Sequence, residues 1–571
     1  MTKSLKTYLA KHKKRLAWGL SVKVLSTIAE LLLPLVMAHL IDNIAPLKDY
    51  VLVLLWGSVM LLFAVIAWIG NVVANRSASK VARDVTENLR NDLFESTLKL
   101  SASQQDRVTV PSLVSRLSSD TYNVHNMIGM MQRLGVRAPL LLIGGVALTF
   151  TVEPVLACVL LAVVPLLTLI VIFISSRGIR LYTALQKSTD GMVRKVRDDY
   201  TLIRVIKALS QTEHENRQFD IINKDVVKHE QRAGMVMGAS NPLLSMLLYL
   251  GMTATVLIGA YRVNAGHALP GAIIAFTSYF TVILNAVISV SRIFVNLTKG
   301  TASAKRICEI LNSASPLTVL PAQEAEQNCL CRFDNVTFSY NGNPAIKNLS
   351  FTLERGQSLG IIGATGSGKS TVVALLLRLY DPDSGNIYID GKDIRSYTPE
   401  QLRSRIGVVL QNDFLATVSV ADNIRFKRDI SDDEIVQSAK YAGAHDFITA
   451  KEQGYDTMLT SKGANFSGGQ KQRILIARAL AGDPEMLILD DSSSALDYRT
   501  DAQLRRTLLD NFPDTAIVMV AQRISSIRFA DKILVMKEGR SVGFGTDSQL
   551  MQQCPEYREI YLSQTESEGE Q

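Results

Sequence analysis

The chain has 571 residues, with 61 Lys or Arg against 53 Asp or Glu, so its formal net charge is +8. Charged residues make up 20% of the chain and hydrophobic residues 47%, and the mean hydropathy is +0.15. This balance argues against a disordered chain and against an ordinary water-soluble protein. The five scattered cysteines do not form a disulfide framework, and they lack the spacing of a zinc site.

The apolar residues concentrate in the first half of the chain. A helix that crosses a bilayer needs about 20 mostly apolar residues, and several segments meet or approach this length. These segments are residues 16–41, 50–73, 127–152, 155–174, 235–261 and 269–291. We therefore predict an α-helical membrane domain with six spans at residues 16–300, embedded in a lipid bilayer.

The predicted spans are joined alternately by short and long connections. Residues 42–49, 153–154 and 262–268 are the short ones, whereas each long one has about 50 residues with apolar positions at helical spacing. The long connections are therefore predicted to be helices that extend into the cytoplasm and turn back. A basic amphipathic helix is predicted at residues 1–15, and the positive-inside rule puts the N-terminus on the cytoplasmic face of the cell (inner) membrane.

Charged residues within the spans are candidate transport sites, because a charge in the bilayer is costly. Glu30 either contacts a cationic substrate or pairs with a polar group on a neighbouring helix. Lys23, Arg133 and Arg137 are also candidate functional residues, or else their side chains extend to the cytoplasmic interface. The candidate transport-path residues are Glu30, Arg137, Asn241 and Asn285.

The second half of the chain has strand patterns at residues 333–340, 349–353 and 358–362. Directly after the third strand comes Gly363-Ala364-Thr365-Gly366-Ser367-Gly368-Lys369-Ser370-Thr371, followed by a helical run. This G-x-x-x-x-G-K-S loop is typical of phosphate binding, because its backbone amides converge on phosphate oxygens. Lys369 would reach the terminal phosphates and the Ser370 hydroxyl would ligate Mg²⁺. Metal is thus expected only as Mg²⁺ with the nucleotide.

A second apolar strand, residues 486–489, ends in Asp490. In a parallel sheet this strand would deliver a carboxylate to the edge where the phosphate loop lies. Such a carboxylate is what Mg²⁺ on a bound nucleotide requires.

About twenty residues before Asp490 lies Phe466-Ser467-Gly468-Gly469-Gln470. With the phosphate loop, this segment makes the chain resemble an ATP-binding-cassette (ABC) half-transporter of the exporter type, because it is similar to the family signature L-S-G-G-Q. The resemblance implies an α/β P-loop cassette at residues 330–562, after a linker at 301–329 and before an acidic tail at 563–571.

The resemblance also implies roles for further residues. Tyr340 stands at the position that stacks on adenine, and Gln411 at the glutamine that senses Mg²⁺ and contacts the membrane domain. Two cassettes face each other in such transporters, so each ATP lies between the phosphate loop of one and the signature of the other. The signature residues acting on the partner's nucleotide would be Ser467, Gly468, Gly469 and Gln470, and the dimer-contact loop would be Ser494, Ala495, Leu496 and Asp497.

The chain departs from the family pattern at two catalytic positions. Asp491 replaces the glutamate that acts as general base, and Gln522 replaces the switch histidine. Residues 460–463, before the signature, also lack the glutamate that exporters usually carry there. We therefore predict a low-turnover site for ATP and Mg²⁺ and a heterodimer with a second half-transporter.

The predicted function is ATP hydrolysis coupled to export of hydrophobic or amphipathic compounds, as in multidrug exporters. Three alternatives are a homodimeric exporter, a transporter of lipids, peptides or siderophores, and an ATP-gated channel. The positive charge is assigned to the cytoplasmic membrane face, so no nucleic-acid partner is predicted.

Overall fold

The computed structural model describes residues 5–313, 317, 319–321, 329–460, 463–492 and 496–566. Contacts divide the chain into two compact units. The first comprises Met1–Leu98 and Val108–Ala314, and the second comprises Lys99–Arg107 and Ser315–Gln571.

The first part of the chain is helical throughout. Its helices are α1 (Leu5–Ala10), α2 (Lys13–His39), α3 (Tyr50–Leu98), α4 (Ala102–Arg107), α5 (Val110–Ser115), α6 (Thr121–Arg133), α7 (Arg137–Val152), α8 (Pro154–Thr201), α9 (Ile203–Ala208), α10 (Thr212–Gly238), α11 (Ser240–Asn264) and α12 (Pro270–Ser313). Within the described residues, 6 helical segments are long and apolar enough to cross a membrane.

Several of these helices are much longer than a bilayer is thick. Helix α3 has 49 residues, which corresponds to about 74 Å at 1.5 Å per residue, against about 30 Å of hydrocarbon. Helix α12 likewise continues to Ser313. The predicted start of the linker at residue 301 is therefore corrected, because residues 301–313 belong to the last long helix.

The three short connections are tied together by polar contacts at one end of the helices. Arg262 at the end of α11 donates a hydrogen bond of 2.9 Å to Glu153, which lies between α7 and α8. The backbone amide of Gly271 in α12 donates one of 2.6 Å to Asp42. Since these contacts join connections that alternate along the chain, the helices run up and down as expected.

The N-terminal helix α1 packs on the long extension of α3. The buried Tyr8 donates a hydrogen bond of 2.7 Å to Asp92, and Arg15 pairs with Asp84 at 2.7 Å. The helix predicted at residues 1–15 is corrected: α1 ends at Ala10 and α2 already begins at Lys13.

The second unit combines two sheets with helices. Its strands are β1 (Cys331–Tyr340), β2 (Asn343–Leu353), β3 (Ser358–Gly363), β4 (Ser384–Ile389), β5 (Lys392–Asp393), β6 (Ile406–Val409), β7 (Met486–Asp490), β8 (Ala516–Val520), β9 (Lys532–Lys537) and β10 (Arg540–Gly545). Its helices after α12 are α13 (Lys369–Leu376), α14 (Pro399–Arg403), α15 (Val420–Arg425), α16 (Asp432–Tyr441), α17 (His445–Thr449), α18 (Gly468–Leu480), α19 (Tyr498–Asn511), α20 (Asp547–Gln553) and α21 (Pro555–Glu566).

The larger sheet has the strand order β10-β9-β3-β8-β7-β6. Its strands from β9 to β6 are parallel, and β10 is antiparallel to β9. All residues of β7 are buried, which explains their continuous apolar run, because helices cover both faces of a parallel sheet. The smaller sheet, β2-β1-β4-β5, is antiparallel.

The C-terminal helix α21 is part of the folded unit. Its Tyr557 is fully buried and donates a hydrogen bond of 2.6 Å to Asp547. The acidic tail predicted from residue 563 is corrected, because the helix continues to Glu566.

Candidate functional site

Three neighbouring strands end at the same edge of the larger sheet. In register, Val520 of β8 pairs with Ile361 of β3 and with Asp490 of β7. The loops that follow these strands therefore meet, as parallel topology requires. A cavity of about 460 Å³ lies there, and its lining includes Tyr340, Thr365, Gly366, Gly368, Lys369, Ser370, Thr371, Gln411, Asp490, Asp491 and Gln522.

The loop after β3 depends on glycine. Gly366 and Gly368 have φ angles of +82° and +102°, a region that other residues adopt at a cost. A Cβ on Gly368 would also lie 2.8 Å from the carbonyl oxygen of Ala345. The loop can therefore turn tightly and present its backbone amides at the start of α13.

Lys369 lies at the first position of α13. Its Nζ donates hydrogen bonds of 2.8 Å and 3.0 Å to the carbonyl oxygens of Gly363 and Ala364. Burial lowers the pKa of Lys369, although the charges of Asp490 and Asp491 act in the opposite direction. The ammonium group is thus held over the loop in a partly dry site, where an anion would be attracted strongly.

Asp490 at the end of β7 is buried and accepts a hydrogen bond from Ser370. Burial raises the pKa of Asp490, and the negative charge of Asp491 adds to this effect. A hydroxyl and a carboxylate in contact are the oxygen ligands that Mg²⁺ accepts.

The loop fits a polyphosphate. The buried Oγ of Ser367 has no hydrogen-bond partner among the described residues, although buried hydroxyls are usually paired. A Cβ placed on Gly366 would have nothing within 4 Å. An unsatisfied donor and open space therefore lie on a loop whose amides and lysine already favour anions.

Tyr340, at the end of β1, also lines the cavity. It packs edge-on against Tyr380 and Phe338, with ring centroids 5.2 Å and 4.8 Å away. These contacts fix the ring at the edge of the cavity.

Asp491 is held in an uncommon backbone conformation, with φ at +53°. Its amide donates a hydrogen bond of 2.9 Å to the carbonyl oxygen of Val520. Its Oδ2 accepts a hydrogen bond of 3.2 Å from the side-chain amide of Gln522 and lies 3.5 Å from Nε2 of Gln411. The two positions that depart from the family pattern are therefore in direct contact.

Ser467 caps the N-terminus of α18. Its Oγ accepts a hydrogen bond of 3.3 Å from the amide of Gln470, whose side chain accepts one of 3.0 Å from the amide of Ser467. Ser467 and Gly468 are exposed, so this helix end is open to an anion. Among the described residues, none of Ser467 to Gln470 lines the cavity at the phosphate loop.

The chain was compared with known families and proteins. Residues 16–287 match the model of the ABC transporter transmembrane region, and residues 346–494 match that of the ABC transporter. An uncharacterized ABC transporter ATP-binding protein of Bacillus subtilis, YfiB, is 34% identical over 95% of this chain and 94% of the relative. A second B. subtilis relative, YknU, bears the same description and is 31% identical over 98% and 96%. The chain belongs to the ABC transporter family.

A solved structure, that of a bacterial Atm1-family ABC exporter with ATP bound, shares the fold. It is 23% identical to this ABC transporter, the TM-score is 0.81, and the match covers 97% of this chain and 99% of the other. The fold class is thereby confirmed as a six-helix membrane domain of the exporter type followed by an α/β ATP-binding domain. The protein is a multi-pass membrane protein, and its family carries out ATP hydrolysis coupled to transport.

The predicted dimer-contact loop of this ABC transporter is described only in part. Ser494 and Ala495 lie outside the described residues, as do residues 461 and 462 before the signature. Leu496 is buried. Asp497 caps α19 by accepting hydrogen bonds of 2.9 Å and 2.7 Å from the amide and hydroxyl of Thr500.

One residue that contacts the backbone of Gln522 escaped the sequence reasoning. Gln564 in α21 donates a hydrogen bond of 2.8 Å to the carbonyl oxygen of Gln522 and accepts one of 2.8 Å from the amide of Ile524. Gln564 thus holds the backbone on both sides of residue 523. The apolar positions of α21, such as Tyr557 and Ile560, could have indicated that the folded domain includes this helix.

The short helix α4, which turns between α3 and α5, groups with the ATP-binding unit. Within that unit, the hydroxyl of Tyr380 donates a hydrogen bond of 2.7 Å to Asp106 of α4. Burial and this hydrogen bond raise the pKa of Tyr380. Asp106 lies in the first long connection, between α3 and α5.

Three of the four candidate transport-path residues line one cavity in the membrane unit. Glu30, Arg137 and Asn285 surround a cavity of about 70 Å³, whereas Asn241 is not part of its lining. The alternative that Lys23 extends to the membrane interface is corrected. Lys23 is 3% exposed and donates hydrogen bonds of 2.6 Å and 3.2 Å to the side chains of Asn71 and Asn75.

Proposed function

We propose that this chain is the slow-turnover half of a heterodimeric ABC exporter for hydrophobic or amphipathic compounds. Its own phosphate loop binds ATP without rapid hydrolysis. Its signature completes the catalytic site of a different half-transporter. The contact between Asp491 and Gln522 is the observation that carries this proposal.

The first argument concerns the general base. The carboxylate of aspartate is withdrawn from the position of a glutamate carboxylate by about one bond length, ~1.5 Å. In addition, Oδ2 of Asp491 already accepts the hydrogen bond from Gln522 at 3.2 Å. A base must lie within hydrogen-bond reach of the attacking water, and a positioned base accelerates hydrolysis by typically 10²–10⁴-fold. Both features of Asp491 therefore favour slow hydrolysis.

The second argument concerns the switch position. A glutamine amide can donate a hydrogen bond, but it cannot take up a proton as a histidine can. Because the Nε2 of Gln522 points to Asp491, this donor is directed to the base position. The two departures from the family pattern therefore act together, and both weaken the same site.

The third argument concerns the signature. The helix cap formed by Ser467 and Gln470 is intact, and Gly468 has open space around its α-carbon. Phe466, where the family has leucine, is 5% exposed and packs in the domain core. This substitution therefore leaves the exposed helix end unchanged. An intact signature beside a weakened base is useful only if the competent base belongs to another chain.

Mg²⁺ would be held with the nucleotide by Ser370 and Asp490, with Gln411 close by, and it would neutralise charge on the phosphates. Tyr340 is placed to stack on the adenine. The basic residues of the N-terminus support a cytoplasmic location for both ends and for the ATP-binding domain, in the inner membrane of the cell.

The decisive experiment compares the purified chain with a two-chain complex in lipid nanodiscs. The second half-transporter is to be sought first in the neighbouring reading frame, with Glu and His at the positions of Asp491 and Gln522. We expect slow, vanadate-insensitive hydrolysis by this chain alone and fast, vanadate-sensitive hydrolysis by the complex. ATP-dependent uptake of an amphipathic dye into inverted vesicles should require both chains. Substrate-stimulated turnover by this chain alone would establish a homodimeric exporter instead, and passive flux with ATP present would indicate a channel.

A further inference from the structure

The small cavity in the membrane unit is built around an ion pair. Glu30 lies on α2, Arg137 opens α7, and Asn285 and Ser289 lie one turn apart on α12. Arg137 donates hydrogen bonds of 3.1 Å and 2.6 Å, from Nε and Nη2, to the two oxygens of Glu30. Side-on pairing of this kind leaves Nη1 of Arg137 without a hydrogen-bond partner among the described residues.

The surroundings of this ion pair are positively charged. The charges of Arg133 and Arg137 act on Lys23, and the carboxylate of Glu30 acts on it in the opposite direction. Lys23 is bonded to the neutral amides of Asn71 and Asn75. Among the described residues, Arg133 has no carboxylate partner.

Arg133 and Arg137 remain protonated, so even without Lys23 the cations near this ion pair outnumber the one carboxylate, Glu30. Desolvated charges are costly unless they are paired, and inside a bilayer they face the bundle interior or a water-filled path. The burial of Lys23, 3% exposed, prevents it from reaching the interface to be solvated. An anionic group that is not among the described residues would balance this charge.

Helix α12 carries a polar stripe that leads away from the cavity. The stripe consists of Thr281, Asn285, Ser289 and Arg292, spaced by four, four and three residues, so they share one helix face. Thr281, Asn285 and Arg292 are exposed. Polar groups exposed along a membrane helix favour a water-accessible path over contact with lipid chains.

We propose that this cavity binds the anionic head group of an amphipathic compound, a carboxylate or a phosphate, which competes with Glu30 for Arg137. The proposal rests on the transport function proposed above and specifies its substrate class. A cavity of about 70 Å³ suits a head group and not a whole hydrophobic compound. The apolar remainder would lie outside the cavity, beside the polar stripe.

Because the anion competes with Glu30 for Arg137, substitutions at these two residues should change anion affinity in opposite directions. Glu30→Gln removes the internal competitor and should tighten anion binding. Arg137→Gln removes the donors and should weaken it by about tenfold or more, because a hydrogen bond to a charged group contributes about 1.5–3 kcal/mol. An ion pair with a purely structural role predicts a loss of stability in both variants and no change in ligand affinity.

The test uses the full chain in phosphatidylcholine nanodiscs, with three probes of equal chain length: decyl phosphate, decanol and decyltrimethylammonium. Affinity is read from the ligand-dependent shift of the thermal unfolding midpoint, which requires no ATP hydrolysis. We expect decyl phosphate to bind most tightly, with Glu30→Gln tighter and Arg137→Gln weaker than the unmodified chain. Arg180→Gln, an exposed cation on α8 away from the cavity, should leave the affinity unchanged.

If Arg137→Gln alone does not fold, the Glu30→Gln/Arg137→Gln double variant replaces it, since it buries no unpaired charge. Unchanged decyl phosphate affinity in Glu30→Gln, or tighter binding of decyltrimethylammonium, would overturn the proposal.

Two further experiments identify the source of the anion. Displacement of decyl phosphate by added phosphatidylglycerol would assign the cavity to a lipid head group, and ATP-dependent uptake of decyl phosphate by the two-chain complex would assign it to a transported anion. Anion binding by a two-chain complex that also fails to take up the amphipathic dye would refute the exporter function and leave the binding site in place.

Discussion

The side-chain amide of Gln522 donates a hydrogen bond of 3.2 Å to Oδ2 of Asp491. The base position and the switch position thus form one unit in which the carboxylate is occupied by a neutral donor. A longer carboxylate with a histidine partner would restore both the reach to water and the capacity to take up charge.

We therefore predict that Asp491→Glu combined with Gln522→His raises the ATP turnover of the purified chain by on the order of 10²-fold. ATP affinity should not change, because Lys369 and the phosphate loop are unaltered. Vanadate-sensitive phosphate release measures the effect. Asp491→Asn with Gln522→His serves as the control, since it introduces the histidine without a base. Equal turnover in the two double variants would contradict the role of residue 491.

Asp490 offers a prediction about stability and pH. Its pKa is raised by burial, so the folded chain holds the acidic proton more tightly than the unfolded chain does. The ionised carboxylate therefore destabilises the fold at neutral pH, and this cost disappears as the pH falls through the raised pKa. Asp490→Asn should raise the apparent unfolding midpoint of the nucleotide-free protein at neutral pH, corresponding to about 1 kcal/mol.

The difference in unfolding midpoint between Asp490→Asn and the unmodified chain should narrow steadily as the solution is acidified. The unmodified carboxyl group becomes protonated, whereas the amide does not titrate. The slow hydrolysis by the purified chain should be lost at every pH, since the amide is a poor Mg²⁺ ligand. Glu559→Gln, an exposed change in the same domain, is the control and should show no such pH-dependent gain. If this difference in unfolding midpoint widened in acid, it would contradict a raised pKa of Asp490.

The sheet edge at which the candidate ATP-site residues meet could be predicted from local sequence patterns. A buried parallel strand is a continuous apolar run, and the residue that follows it lies at the carboxyl edge of the sheet. The strand ends before Ala364 and at Asp490 therefore located the phosphate loop and the carboxylate without knowledge of the fold. The order of the strands was not needed, because all of these ends share one edge.

The contacts of Lys23 and Gln564 could not be predicted in this way. Lys23 meets asparagines 48 and 52 positions later in the chain, and Gln564 meets the switch loop across 42 positions. Each contact depends on the packing angle of helices, which no local pattern specifies. The ends of the long helices, such as Ser313, were also missed, because a polar helix outside the membrane resembles a linker in composition.

Gln564 provides a third prediction. Gln564→Ala removes the hydrogen bonds to Gln522 and Ile524, which hold the backbone of the switch loop. We expect the slow turnover of the purified chain to fall several-fold while its ATP affinity stays constant, since loop positioning affects the reaction more than binding. Hydrogen exchange at the amide of Ile524 should become faster. Gln553→Ala, an exposed glutamine at the end of α20, is the matched control and should leave both readouts unchanged.

The last prediction separates the two roles of the chain. Ser467 caps α18, so an alanine there would also weaken the helix by about 1 kcal/mol. Aspartate and asparagine both preserve the cap but differ in charge. Ser467→Asp should lower the ATP turnover of the two-chain complex by about 10²-fold through repulsion of the phosphates bound to the partner chain, whereas Ser467→Asn should lower it much less. Phe466→Leu should leave this turnover unchanged, because that ring is buried.

Binding of ATP to this chain's own phosphate loop, measured by photolabelling, should persist in all three variants. A loss of labelling in Ser467→Asp would mean that the signature acts on a nucleotide bound to another copy of this chain, as in a homodimer.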